Sequence, residues 1–413
     1  MKNSKRSFTL IEVMITLSIL AVLSGITLFV TNPTIITDSI QDNRRVSDLN
    51  NIDKATNYLD AVSMNMLSLG NPNTVYLSLP DNTSASCASY VLPSLPSGYS
   101  YSCKNEIDYI KNDGNGWIPI AFKEIDNTLI LPSAPIDPIN NNIYYYSYFP
   151  GNLFELTAQL TQAREASLND GGLSTTLYEI GGYGRMVTPI LRDQGLLAYY
   201  SFDNSDTEST VFDHSGSNNN GTWNGTGEKY DHTTSSKKVA KMNGENDNFD
   251  IGHLNKNFSI FTISLWIKLD TISADKAILG KWSGDDKSFL LRTSSTDGRI
   301  LNLILSKDGL ITSGSTSEID STPISDDGWY FITVVYKGKN DGHSIAWMYI
   351  DGEQVNHKDN MTYPVFESDI DASIGSGNNT LFPGKIDEIR LYNRILESKE
   401  IKSIFDKTKV NYK

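Results

Sequence analysis

The sequence predicts an α+β unit, a long N-terminal helix laid on an antiparallel sheet, followed by an all-β sandwich. Three observations predict it. An uncharged apolar run from Val13 to Val30 continues beyond Asn32-Pro33 into an amphipathic stripe. Short runs of β-formers between Pro- and Asn-loaded loops fill residues 75–187. From residue 195 the texture changes to strands at regular spacing with tight turns between them. A length of 413 residues suits two or three such domains.

Composition excludes several function classes. A formal charge of −14, with no basic stripe along the chain beyond its first residues, opposes a nucleic-acid role, because phosphates must be met by Lys and Arg. Two cysteines and five scattered histidines do not supply the close Cys/His pairs of a zinc site. No zinc-protease, nucleophile-elbow or P-loop motif occurs. Acidic surfaces always offer carboxylate pairs, so a glycosidase pair has no signature here. No enzyme activity is expected.

Taken in order, Lys2, Lys5 and Arg6 form a basic stub before an apolar run about long enough to span a hydrocarbon core of roughly 30 Å. Such a stub holds the N-terminus in the cytoplasm and sends the remainder outside. A secretory signal peptide is the alternative, with Ser24-Gly25 as its cleavage site. It has no use for Glu12, a carboxylate that costs roughly 2.5–3.5 kcal/mol inside a bilayer and needs a partner.

The stretch KRSFTLIEVMITLSILAVLSGI resembles the N-terminus of type IV prepilins and pseudopilins. The resemblance implies a leader, residues 1–7, removed by a prepilin peptidase between Ser7 and Phe8, and methylation of the new Phe8 amine. The family prefers Gly where this chain has Ser7. It also implies a transmembrane and filament-core helix over 8–32 in which Glu12 meets the Phe8 ammonium of another pilin subunit. The alternative is an ordinary anchor whose Glu12 sits at the interface and meets water.

Pro33 interrupts the run. Apolar residues at Val46, Leu49, Ile52, Ala55, Leu59, Val62, Met66 and Leu69 then mark one helix face, with Gly70 and Pro72 as stop signals. GWIPIAF and IYYYSY are rich in β-formers, and IYYYSY–FPGN–LFELTAQL reads as a hairpin. This region, 33–190, resembles the pilin-like α+β domain. Some relatives hold calcium beyond that sheet, for which Asp137, Asp170 and Glu179 are available. The plainer reading is solvated loop carboxylates. Export makes a Cys87–Cys103 disulfide the expectation, closing a Pro/Ser-rich loop, with two buried thiols as the alternative.

Glu179 to Gln194 carries glycines and a proline and reads as a domain junction. In the sandwich, FTISLWIKL alternates Phe261, Ile263, Leu265, Ile267 and Leu269 against Thr262, Ser264, Trp266 and Lys268. Asp351-Gly352 marks a two-residue hairpin, and Asp297-Gly298 and Asp308-Gly309 repeat the signal. GLLAYYSFDNS, KVAKMNGENDNFDIG, DDGWYFITVVY and FPGKIDEIRLYNRILESKEI resemble, in order, the laminin-G-like, concanavalin-A-like jelly roll. That implies a sandwich over 195–413 with a short C-terminal helix.

In KIDEIRLY, alternation puts Asp387 on the face of Ile389 and Leu391. A buried carboxylate needs a partner. The resemblance offers a structural calcium, with Asp203, Asn246 and Asp247 as the further ligands; hydrogen bonds to backbone amides are the alternative. Trp223, Trp282 and Trp266 are candidates for stacking on a sugar or a protein; Trp266 could instead lie against a neighbouring sheet or loop, and the plainer reading of a single tryptophan in a sandwich is a core residue.

The combined resemblance implies a minor pilin-like subunit that displays an adhesive domain for an extracellular glycan or protein. It would be membrane-held before assembly, with its C-terminal part outside, and then exposed on a pilus or the cell surface. A secretion pseudopilin whose sandwich contacts cargo, or a tethered surface protein that never polymerises, are the alternatives.

Overall fold

The computed structural model describes residues 9–31, 33–63, 68–122, 131–151, 154–181, 190–203, 207, 209–252, 254, 259–312, 314–325, 328–339 and 343–413, without the side chains of 23–31 and 33. Ser7 and Phe8 therefore lie outside the described residues.

Helix α1 runs Leu10–Thr31 and α2 runs Pro33–Val62. Among the described residues no helix is long and apolar enough to cross a membrane. The expected span at 8–32 has described side chains only from Thr9 to Val22, and all of these are exposed. On α2, Leu49, Ile52, Ala55 and Leu59 are buried, as the spacing predicts. The helix stops at Val62, earlier than the Gly70 signal.

The first sheet contains β1 (Thr74–Pro80), β2 (Ser100–Lys104), β3 (Tyr146–Pro150), β4 (Phe154–Gln159) and β5 (Leu177–Gly181), in the order β2-β1-β3-β4-β5. The expected β3–β4 hairpin forms, with Tyr146 opposite Ala158 and Pro150 opposite Phe154. The sheet is not wholly antiparallel, because β1 and β2 run parallel. A parallel pair needs a long crossover, and residues 81–99 supply it. GWIPIAF is not a strand. Pro119 has no ladder donor, and the segment instead bends to bury Trp117, Ile118, Ile120 and Phe122 against α2 and the sheet. A short helix, α3 (Arg164–Leu168), follows β4.

The second unit is a jelly-roll-like pair of sheets. One contains β6 (Leu196–Tyr200), β9 (Tyr230–His232), β10 (Lys238–Asn243), β12 (Ile260–Leu269), β17 (Trp329–Lys337), β18 (Ile345–Ile350), β19 (Glu353–Asp359) and β23 (Pro383–Tyr392). The other contains β7 (Thr210–Val211), β8 (Gly221–Asn224), β11 (Asn248–Asp250), β13 (Ala277–Ser283), β14 (Asp286–Thr293), β15 (Leu301–Ser306), β16 (Thr316–Asp320) and β20 (Ser373–Ile374). A small pair, β21 (Ser376–Gly377) and β22 (Thr380–Leu381), stands apart. The core lies between the sheets and takes Phe261, Ile263, Leu265, Ile267 and Leu269 from β12.

The opposite face of β12 is also covered. Helix α4 (Ser398–Thr408) lies over it, so Thr262, Ser264 and Trp266 are buried too. Trp266 stacks on Tyr412 with centroids 4.2 Å apart. Asp351-Gly352 makes the two-residue β18–β19 turn, both residues at positive φ (54° and 80°). Asp297-Gly298 and Asp308-Gly309 do not repeat it; they lie in longer loops between β14 and β15 and between β15 and β16.

Helix α4 also docks on the first unit. Ser403 Oγ donates to the Leu168 carbonyl at 2.7 Å, and Arg164 Nη2 meets Glu400 Oε1 at 3.2 Å. Lys399 pairs with Glu165, and Tyr392 Oη donates to Asp193 Oδ2 at 2.9 Å.

Candidate functional site

At the N-terminus, Thr9 and Glu12 form a capping box. Thr9 N and Oγ1 donate to Glu12 Oε2 at 2.8 and 2.9 Å, and Glu12 N donates back to Thr9 Oγ1 at 3.3 Å. Glu12 therefore has a partner, Thr9, at the start of its own helix. A Thr three residues before a Glu, ahead of an apolar run, was the signal available in the sequence.

The sheet-side acids are bound to basic groups or backbone amides. Asp137 is held by a guanidinium. Its carboxylate takes Arg45 Nε at 2.7 Å and Nη2 at 3.1 Å. Arg45 Nη1 also reaches Asp42 Oδ1 at 2.9 Å, and Asp42 accepts the N–H groups of Thr161, Gln162 and Ala163. This wholly buried Asp–Arg–Asp set bolts α2 to the sheet.

Asp170 and Glu179 do come together, with Glu155. Asp170 Oδ2 accepts the Glu179 N–H at 2.8 Å, and Glu179 Oε2 accepts that of Ser174 at 2.6 Å. Lys407 of α4 enters from the sandwich side and meets Asp170 Oδ1 at 3.1 Å. Burial, then the charge of Asp170, push Glu179 up to about 7; burial and Glu179 push Glu155 well up.

The structure divides the four expected calcium ligands of the sandwich into two groups, and each meets a lysine. Asp203 and Asp387 converge, but Lys237 Nζ stands between them, 3.1 Å from Asp203 Oδ2 and 3.5 Å from Asp387 Oδ2, and also pairs with Glu388. Arg390 Nη2 lies 3.1 Å from Glu388 Oε2, and Tyr412 Oη donates to Asp387. Burial alone would depress the Lys237 ammonium, but the three acids outweigh it and hold it well above its usual value. Burial raises the Asp387 carboxyl well above the carboxylate range, whereas Lys237 and Arg390 pull the buried Glu388 down to about 2.

Asp247 forms the second group, with Oδ1 3.1 Å from Lys229 Nζ and 3.2 Å from the Gly227 N–H. Asn246 Oδ1 accepts from Asn243 at 2.9 Å. At the first group an ammonium takes the central place a calcium ion would need, so those residues do not fit an open oxygen cage; at the second, Lys229 meets one oxygen of Asp247 while the buried Oδ2 has no hydrogen-bond partner among the described residues. Asp387 was also assigned to the wrong face. A bulge, with Ser264 opposite Arg390 but Trp266 opposite Asp387, inserts Glu388 at φ +50° and turns Asp387 away from Ile389 and Leu391 toward Tyr412.

Trp223 and Trp282 do not form exposed stacking platforms. They are 7% and 3% exposed, and Trp223 packs at 5.0 Å on Phe249 while its Nε1 donates to Tyr230 Oη at 2.7 Å. The disulfide is formed: Cys87 and Cys103 are bonded, with Cα atoms 5.2 Å apart.

Sequence reading missed a row of basic residues on the outer face of the first sandwich sheet. Lys241 of β10 lies opposite Lys385 of β23, Lys385 opposite Lys268 of β12, and Lys268 opposite Trp329 of β17. Beside Trp329, a cavity of about 330 Å³ is lined by Thr234, Lys268, Tyr330, Tyr412 and Lys413.

A family model described as the prokaryotic N-terminal methylation motif matches residues 2–28, and one described as the concanavalin A-like lectin/glucanases superfamily matches 243–402. No curated protein matches the chain. Among solved structures, the receptor binding domain of botulinum neurotoxin C/D mosaic serotype aligns at 14% identity and TM-score 0.41, over 52% of this chain and 51% of that one. The binding domain of Paraclostridial Mosquitocidal Protein 1 aligns at 18% and 0.39, over 51% and 52%. Domain 4 of AbnA, an extracellular arabinanase from Geobacillus stearothermophilus, aligns at 19% and 0.38, over 51% and 97%. The chain spans about half the length of the toxin domains it matches. The chain thus carries, in order, a segment that matches the prokaryotic N-terminal methylation motif and one that matches the concanavalin A-like lectin/glucanases superfamily.

Proposed function

We propose that this chain is a pilin-like subunit, cut between Ser7 and Phe8, whose apolar helix joins a filament and whose sandwich is an adhesive domain facing outward. The observation that carries the reading is the methylation motif at 2–28 on the same chain as a lectin-type domain. The docking of α4 on the first unit supports it, since a binding domain held by buried and ionic contacts keeps a fixed pose on its stem. Its bulk suits a minor subunit, because a domain this size on every copy would crowd a shaft. The membrane holds the chain before assembly, with the C-terminal part outside.

Glu12 provides the test. In the monomer its carboxylate is held by Thr9; in a filament it meets the Phe8 ammonium of a neighbour, a stronger, charge-assisted partner. Glu12→Ala should leave the protein processed and membrane-held but absent from sheared filaments, as read by immunoblot of the filament and membrane fractions. Undiminished recovery in the filament fraction would refute subunit status.

A further inference from the structure

The lysine row assembles only through strand pairing. Its members share the outer face of one sheet, because their neighbours Ala240, Ile386 and Ile267 point into the core. Cross-strand register sets them directly abreast, one per strand, at the ~4.8 Å strand spacing. Like charges directly opposite each other destabilise a sheet. Three lysines in line are therefore a local cost, and they stand on a molecule whose formal charge is −14.

One exposed acid and one half-buried acid meet part of the row. Glu228 Oε2 lies 2.9 Å from Lys241 Nζ, and Asp231 Oδ2 lies 2.7 Å from Lys385 Nζ. Pairs open to solvent on at least one side contribute little, and their acids exchange for another carboxylate. Lys413 is held by Asp351 at the far side of the cavity. At the end of the row, Trp329 is half-buried, its ring packed on Tyr412 with centroids 5.0 Å apart.

We propose that this row is a docking track for an acidic polysaccharide, with the lysines meeting its carboxylates and Trp329 receiving one sugar ring beside the cavity. The inference rests on the adhesive reading above and names its ligand class. A chain carrying one carboxylate per sugar presents regularly spaced charge to regularly spaced lysines. The amphipathic indole gives the apolar face of a pyranose a flat partner, which an acidic peptide does not require. The cavity of about 330 Å³ gives that terminal ring a recess.

The experiment uses the full chain in detergent, titrated with polygalacturonate, its methyl-esterified uncharged form, and polyglutamate. Polygalacturonate should bind, and binding should weaken with salt. The esterified form and polyglutamate should bind at least about tenfold more weakly, and K268E and W329A should each lose about tenfold, the loss expected for one or two charge-assisted or stacking contacts. The melting midpoint of each variant checks its fold. Absence of polygalacturonate binding overturns the proposal, as does polyglutamate binding equally well. Binding unchanged in folded K268E and W329A also overturns the track but leaves the adhesive reading standing. That wider reading fails separately if cells keep their adhesion after residues 195–413 are deleted.

Discussion

Lys237 shows how much one side chain decides. Asp203, Asp387 and Glu388 would repel one another in a buried site, and the ammonium among them, with Arg390 nearby, offsets that repulsion. Removing one partner of a buried ionic set leaves uncompensated charge and typically costs 3–5 kcal/mol. K237M should therefore lower the melting midpoint markedly, whereas a chelator should leave the unsubstituted protein's midpoint unchanged. If EDTA lowers that midpoint, a metal and not Lys237 supplies the positive charge. The acid Asp387 was legible in the sequence as an oddity, but its face was not. Nothing in KIDEIRLY marks Glu388 as the residue that takes positive φ, a conformation usually left to Gly or Asn, so the bulge and the reversed side-chain direction could not be read. The buried tryptophans follow the plainer reading of single tryptophans in a sandwich; what alternation along a strand does not reveal is which element covers each ring.

At the scale of elements, strong patterns were legible and pairings were not. The α2 stripe, the β3–β4 hairpin and the Asp351-Gly352 turn follow from local sequence. The parallel β1–β2 pair and the lysine row depend on which strands meet, and Lys241, Lys268 and Lys385 are remote in the chain. The β1–β2 crossover shows what such a pairing requires. Residues 81–99 have no strand or helix of their own. Asp81 gathers the N–H groups of Thr83, Ser84 and Ser89, and the Cys87–Cys103 bond ties the crossover to β2. Closing a loop of 16 residues' separation is worth about 3 kcal/mol in the chain-entropy account. Replacing both cysteines with serine should cost about 2–4 kcal/mol in denaturant unfolding of the first unit. It should leave the midpoint of the sandwich unchanged; equal loss in both units would show that the crossover is not a local device.

At the scale of the whole molecule, the two units meet where Lys407 enters the acid group of Asp170, Glu179 and Glu155. Glu179 is raised from 4.5 to about 7 in the folded protein, first by burial and then by Asp170. The folded state therefore keeps a proton that the unfolded chain gives up at lower pH. Its contribution is complete below about 4.5 and is lost as pH rises through about 7. Thermal stability of the full chain should decline between those values, and E179Q, which stays neutral, should flatten the decline. A profile equally steep in E179Q would place the titrating group elsewhere.

The path of contacts from sandwich to stem has a mechanical consequence. A pull on a captured ligand enters β12 and β23, passes through the helix packed on them to Lys407 and Ser403, and crosses to α3 and the loop that Asp42 grips. Asp42 stands on α2, so the load arrives on that helix directly, and Arg45 of the same helix adds the link to Asp137. At the crossing from α4 several polar links stand side by side, from Ser403, Lys407, Glu400 and Lys399, so the head should resist detachment most when they bear the load together.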